Sequence, residues 1–195
     1  MANTGSQDRE ISMPIIRAYR IALLLIPVLL LLFGIPYLLL WMNSLSHKIV
    51  NFAQALFRDG RLGILTPYLV KGTVAILVGI FLHELLHGMG WIVFAKKGFH
   101  SLQFGFMTPE LAPYAHCKEP LPVYAYRVGI ILPGLLLGFF PAIFGIVTGN
   151  FCWLCYGIFF TWAASGDFIM FWMIRHLKRN TLVMDHPDKL GCIIL

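Results

Sequence analysis

Apolar positions run along this chain in four long blocks, and polar positions gather between them. Residues 19–41, 69–94, 128–148 and 152–174 are each long enough and apolar enough to cross the hydrocarbon core of a bilayer as a helix. Pro27 and Pro36 predict kinks in the first block, and Pro133 and Pro141 in the third. Trp41, Trp91, Trp153 and Trp172 fall near block ends, where amphipathic rings favour the membrane–water interface.

The stretches between the blocks carry their own periods. Ile49, Phe52, Ala53, Leu56 and Phe57 recur at helical spacing before Asp59-Gly60. They predict an amphipathic helix, lying in the interface or packed over the bundle. Leu102, Phe104 and Phe106 alternate with Ser101, Gln103 and Gly105, which is a strand period. Thr108-Pro109-Glu110 reads as a turn, and residues 112–117 return, so a short β-hairpin follows the second span. Its edge suits strand addition by an extended peptide, or the hairpin caps the bundle. Gly134, Gly138 and Ala142, with Gly145 and Gly149, repeat every four residues and allow close helix approach, pressing the third span on the second. The expected fold is an all-α integral membrane bundle of four transmembrane helices. An interfacial helix and a hairpin in a cytoplasmic loop complete one membrane domain, residues 1–195.

Composition agrees. Of 195 residues, 58% are hydrophobic and 12% charged, against about a quarter charged in soluble domains. The net charge of +6 does not indicate nucleic acid, because the basic residues cluster beside apolar blocks as topology signals. Arg9, Arg17 and Arg20 lie before or at the very start of the first span; Lys96, Lys97, Lys118 and Arg127 lie in the second loop; Arg175, Lys178, Arg179 and Lys189 lie in the C-terminal tail. The first loop has only Lys48, Arg58 and Arg61, with Lys71 near the next span's start, and the third has none, so tails 1–18 and 175–195 and the second loop are expected in the cytoplasm. The first block lacks a small-residue cleavage site and reads as a retained span. Cys152 and Cys155 have redox or metal spacing but no partner pair, and read as packing. Cys192-Ile-Ile-Leu195 matches a prenylation box, which matters only in a eukaryotic cytoplasm.

The second block holds His83-Glu84-Leu85-Leu86-His87. On a helix the two histidines share one face, one turn apart, and can grip one metal ion. Glu84 is placed to act as general base on a water the metal activates. Ionisable residues are costly inside a membrane and mark function. A catalytic zinc takes three protein ligands and leaves a fourth position open. Asp167 is the sole acid within the other three spans. It lies about two turns before the end of its span, as His87 does before the end of its own. Glu110, His116, Cys117 and His186 are rival ligands; His116 could instead stabilise an oxyanion. Asp167 could alternatively neutralise Arg127 or Arg175.

The chain resembles the site-2-protease-like intramembrane zinc metallopeptidases, and more closely a bacterial zincin group, DUF3267. The likeness rests on His83-Glu84-Leu85-Leu86-His87 in a membrane helix, the hairpin-like loop, and Gly166-Asp167 in a later helix. It implies zinc on His83, His87 and Asp167, with Glu84 catalytic, in a bacterial cytoplasmic membrane. Site-2 proteases carry an Asn/Pro-rich segment before Asp-Gly; here the order is Gly166-Asp167, with no prolines before it. The expected activity is hydrolysis of peptide bonds in membrane-protein or peptide substrates. A metal-binding sensor or scaffold without proteolysis would use the same histidines. A metal transporter would need a polar pathway that the first and third spans do not offer.

Overall fold

The computed structural model describes residues 9–58, 62–107, 112–186 and 189–195. The Asp59-Gly60 stop, the Thr108-Pro109-Glu110 turn and Pro187-Asp188 lie outside the described residues.

Strand β1 (Arg9–Met13) leads into helix α1 (Ile15–Phe57), which spans 43 residues. The expected interfacial helix is not separate: it is the far end of α1, which continues through Ser44–His47 without a break. Wide π-type turns at Leu30–Gly34 and Gln54–Arg58 interrupt its regular ladder. The first of these sits between Pro27 and Pro36, each of which lacks an amide proton for the ladder. Helix α2 follows (Leu65–Ile92), then strands β2 (Leu102–Met107) and β3 (Ala112–Cys117). Strand β4 (Leu121–Pro122) enters helix α3 (Val123–Thr148), whose π-type turn at Gly134–Phe139 follows Pro133. Gly149, with φ +67°, ends α3, and the Asn150 side chain accepts from the amides of Cys152 and Trp153 to start the next helix. Helices α4 (Phe151–Ala163) and α5 (Ser165–Met173) meet at a bend of 44°. Strands β5 (Leu182–Asp185) and β6 (Leu190–Ile194) close the chain.

Helices α1, α2 and α3 are long and apolar enough to cross a membrane; α4 and α5 reach that length only as a bent pair. The hairpin forms as expected, antiparallel, with Leu102 opposite Cys117 and Phe104 opposite Ala115. The all-α expectation fails in the two tails. Their strands pair with β4 in a four-stranded sheet, order β1-β6-β5-β4. Ile11 lies opposite Cys192, and Asp185 opposite Cys192 on the other side. Cys192 is therefore fully buried mid-sheet, and burial pushes its thiol up to about 12. That placement hides the thiol a prenyl group would need.

Two cores result. One packs the sheet over the adjoining ends of α2, α3 and α5, through Trp91, Tyr126, Ile130, Met170, Val183 and Cys192. The other joins α1, α3 and α4 through Phe33, Tyr37, Ala142 and Leu154. The small residues of α3 serve this second core. A Cβ on Gly138 would strike the backbone of Thr161, and one on Gly145 that of Leu154. They press α3 on α4, not on α2 as expected; Gly129 is the residue that meets α2, at Gly90. Cys152 and Cys155, read as packing, are exposed. Trp91, read as an interfacial anchor, is buried.

Candidate metal centre

The last four turns of α2 build one wall of the site. His83 and His87 stand one turn apart with ring centroids 4.9 Å apart, at 78° to each other. Gly90 lets the α3 backbone come close at Gly129, and the Gly129 carbonyl lies 2.9 Å from His87 Nδ1. A carbonyl only accepts, so that contact places a proton on Nδ1 and leaves Nε2 as the nitrogen that can bind a metal. The His87 ring also stacks on Trp91 (5.4 Å, 15°), and Trp91 stacks on Tyr126 (5.7 Å, 7°). The Trp91 indole N–H donates to the Tyr126 carbonyl at 3.2 Å. Ring and tautomer of His87 are thus set by α3, a device common to metal-binding histidines.

Helix α5 supplies the opposite wall. The bend after Ala163 starts a new helix, and Asp167 falls in its first turn, where a negative charge meets the positive end of the helix dipole. Its Oδ1 lies 3.3 Å from His87 Nε2 and its Oδ2 3.1 Å from His83 Nε2. One ligand atom from each residue lies within 4.8 Å of the others. Neither arginine neutralises this carboxylate. Arg127 donates to the Ile174 carbonyl, and Arg175 donates to that of Trp172 at 2.8 Å.

The cluster fits a divalent cation on two counts. Asp167 Oδ2 is buried with no hydrogen-bond donor aimed at it, although His83 Nε2 is near. His87 Nε2 faces the other carboxylate oxygen at 3.3 Å, so the two can share a metal in place of a proton. A cation there would give the buried Asp167 oxygen the partner it lacks. Two ligand atoms bound about 2.0–2.1 Å from a tetrahedral zinc lie roughly 3.3 Å apart, close to the 3.1 and 3.3 Å observed.

Glu84 is half-buried on the same cavity, and its carboxylate meets the backbone N–H of Ala115 in β3. The cavity measures about 640 Å³ and reaches Ala18 of α1, Gln103 of β2, His116 of β3 and Leu190 of β6. The base of the hairpin is fixed to the end of α2 by Glu119, which accepts from the Lys96 and Lys97 amides (2.9 and 3.2 Å) and from the Ser101 hydroxyl (2.7 Å).

The rival ligands go elsewhere. His116 Nδ1 lies 3.3 Å from Asp185 Oδ2, and His186 Nε2 lies 3.4 Å from Glu10 Oε1. Cys117 is buried in the core below the hairpin, with its thiol pushed up by that burial. Glu110 lies outside the described residues. Among the described residues, His83, His87 and Asp167 are the group that can share a metal. Sequence reasoning missed Tyr126 and Asp185, whose side chains bond each other across 59 residues; nothing local in the chain announces that pairing.

A family model, DUF3267, described as "Putative zincin peptidase", matches residues 76–182, more than half of the chain. No curated protein and no solved structure matches it.

Proposed function

The chain belongs to the DUF3267 family, and on that premise we propose that it is an intramembrane zinc metallopeptidase cutting membrane-associated peptide substrates. The convergence of His83, His87 and Asp167 beside Glu84, from helices far apart in sequence, carries this reading. The three residues hold the zinc. Zinc bound there supplies Lewis-acid chemistry, acidifying water and polarising a carbonyl.

The protein's own groups do the rest. Glu84 takes the proton of the attacking water and passes it to the leaving amine. Gly129 and Trp91 hold the His87 ring so that Nε2 faces inward. No strand pairs with the edge of β3 away from β2 among the described residues, and the Ala115 N–H on that edge meets Glu84. A substrate helix hides its peptide groups in its own hydrogen bonds. Once unwound, it can lie extended in the cavity between the base and the hairpin. The α4–α5 pair counts as the fourth span, and the Lys/Arg bias puts both termini, the hairpin and the site on the cytoplasmic side of a bacterial membrane. This is the site-2-protease plan.

The test uses purified protein in detergent with one equivalent of zinc and a pool of natural peptides, read for new termini by mass spectrometry. Wild type should cut. Glu84→Gln should keep its zinc and cut about 10²–10⁴-fold more slowly. Undiminished cutting by Glu84→Gln removes the assigned base. Zinc binding without cutting in either protein favours a sensor or scaffold.

A further inference from the structure

A second polar group faces the cavity and has no part in the scheme above. Its members come from three elements: His116 of β3, Asp185 at the end of β5, and Tyr126 near the start of α3. All three line the cavity that holds His83, Glu84 and Asp167. Asp185 is divided between the other two. Its Oδ1 accepts from the Tyr126 hydroxyl, and its Oδ2 lies 3.3 Å from His116 Nδ1. Tyr126 is itself immobile: it is buried, stacked on Trp91, and tied to the Trp91 indole through its carbonyl. The chain Tyr126–Asp185–His116 thus sets Nδ1 of an imidazole against a carboxylate, 3.3 Å away, at the wall of the cavity.

We propose that His116 is a catalytic residue that donates a hydrogen bond from Nε2 to the reacting carbonyl oxygen, with Asp185 and Tyr126 as positioning residues. The proposal rests on the peptidase reading. When water adds to the carbonyl carbon, the C–O π pair moves onto the oxygen and one water proton goes to Glu84. When the C–N bond breaks, that proton leaves Glu84 for the amine nitrogen, and the oxygen's pair reforms the carbonyl. The negative charge on that oxygen in between needs a donor already in place. With Nδ1 turned to Asp185, Nε2 is the nitrogen that serves the oxygen. His116 also adjoins Ala115, whose N–H meets Glu84. Base and donor therefore flank the same stretch of β3. His116 keeps 27% side-chain exposure, which leaves the ring reachable from the cavity. The ordinary alternative is a structural tie between the hairpin and the tail sheet.

The experiment compares wild type, His116→Phe and His116→Gln, each loaded with zinc in detergent. Three quantities are read: zinc per chain, the affinity for phosphoryl-Leu-Phe by calorimetry, and kcat and KM for the peptide cut fastest from the pool. The phosphoryl group presents a tetrahedral oxyanion, so it reports the donor without turnover. The expected result is unchanged zinc, a loss of about 10²-fold in phosphoryl-Leu-Phe affinity for His116→Phe, and a matching fall in kcat with little change in KM. His116→Gln, which keeps a donor, should recover part of both. Equal affinity and kcat in His116→Phe, with wild type active, overturns the proposal alone. So does zinc loss in His116→Phe, which would make it a ligand. So does a lowered unfolding midpoint in both variants with affinity unchanged, the mark of a tie. Wild type that binds zinc and neither cuts nor binds the probe overturns the peptidase reading and this proposal with it.

Discussion

The two halves of α2 are equally helical and both strongly apolar, yet they live differently. Residues 66–78 are exposed on every side. From Gly79 onward the helix buries Gly79, His87, Gly88, Gly90 and Trp91. Hydrophobicity does not separate them, since lipid satisfies an apolar helix all round and gives helices no hydrophobic reason to pack. Side-chain size does. A Cβ on Gly79 would strike the Phe160 ring, one on Gly88 the Phe104 ring, and one on Gly90 the Gly129 backbone. On Gly72, in the first half, it would meet nothing within 4 Å. Apolar character makes the whole of α2 fit to cross a membrane, and glycines decide which half is gripped. The gripped half is the one with the imidazoles.

The largest effect that would test this division is loss of the metal. His83→Ala, His87→Ala and Asp167→Ala should each weaken zinc binding by more than about 100-fold, beyond the cost of losing a supporting contact. Lys71→Gln, in the free half, should leave it unchanged. Metal analysis after gel filtration reads both. Zinc retained by the Asp167 variant would return the third ligand to the tail or the loop.

A smaller effect sharpens the same contrast. Gly90→Val forces the α2–α3 contact apart and should cost about 1–3 kcal/mol, as overpacking does. Because Gly129 also holds His87, zinc affinity should fall with the unfolding midpoint. Gly72→Val should change stability by less than about 0.5 kcal/mol and leave zinc alone. Thermal unfolding in detergent, with and without zinc, measures both. Equal costs at the two glycines would mean that packing does not distinguish the halves.

The gripped half was also the more legible in sequence. Histidines four apart on a helix need only the helical period to converge. The hairpin needed only alternation, and its strands follow the expected stretches. Asp167 emerged as the sole acid in the other three spans, and its depth, about two turns from a span end as for His87, agreed. The tail sheet was invisible for a physical reason. Its strands hold 2–5 residues each, too few for a period, and β1 finds β6 from the far end of the chain. The link from Tyr126 to Asp185 depends on that sheet and was hidden with it. The helical period over 49–57 was readable, but its fusion with the first span was not. The first span reads as ending at Trp41, and a helix backbone tolerates the polar Asn43, Ser44, Ser46 and His47 that follow.

The smallest effect concerns what ties the hairpin to the gripped half. The Ser101 hydroxyl, and then the Lys96 and Lys97 amides, hold the Glu119 carboxyl below the usual glutamate range. A lowered value in the folded protein means that the tether contributes fully above the ordinary 4.5 and is lost as pH falls through the folded value. Glu119→Gln should therefore speed amide exchange in residues 102–107 and 112–117 at neutral pH and leave 66–78 untouched. Wild type taken well below pH 4.5, with intrinsic exchange corrected, should approach the variant's protection. Unchanged protection of the hairpin in both conditions would show that β2 and β3 are held by the Leu102 and Phe104 contacts at Gly88 alone. Ala115 would then reach Glu84 through packing on the metal helix, without the charged tether.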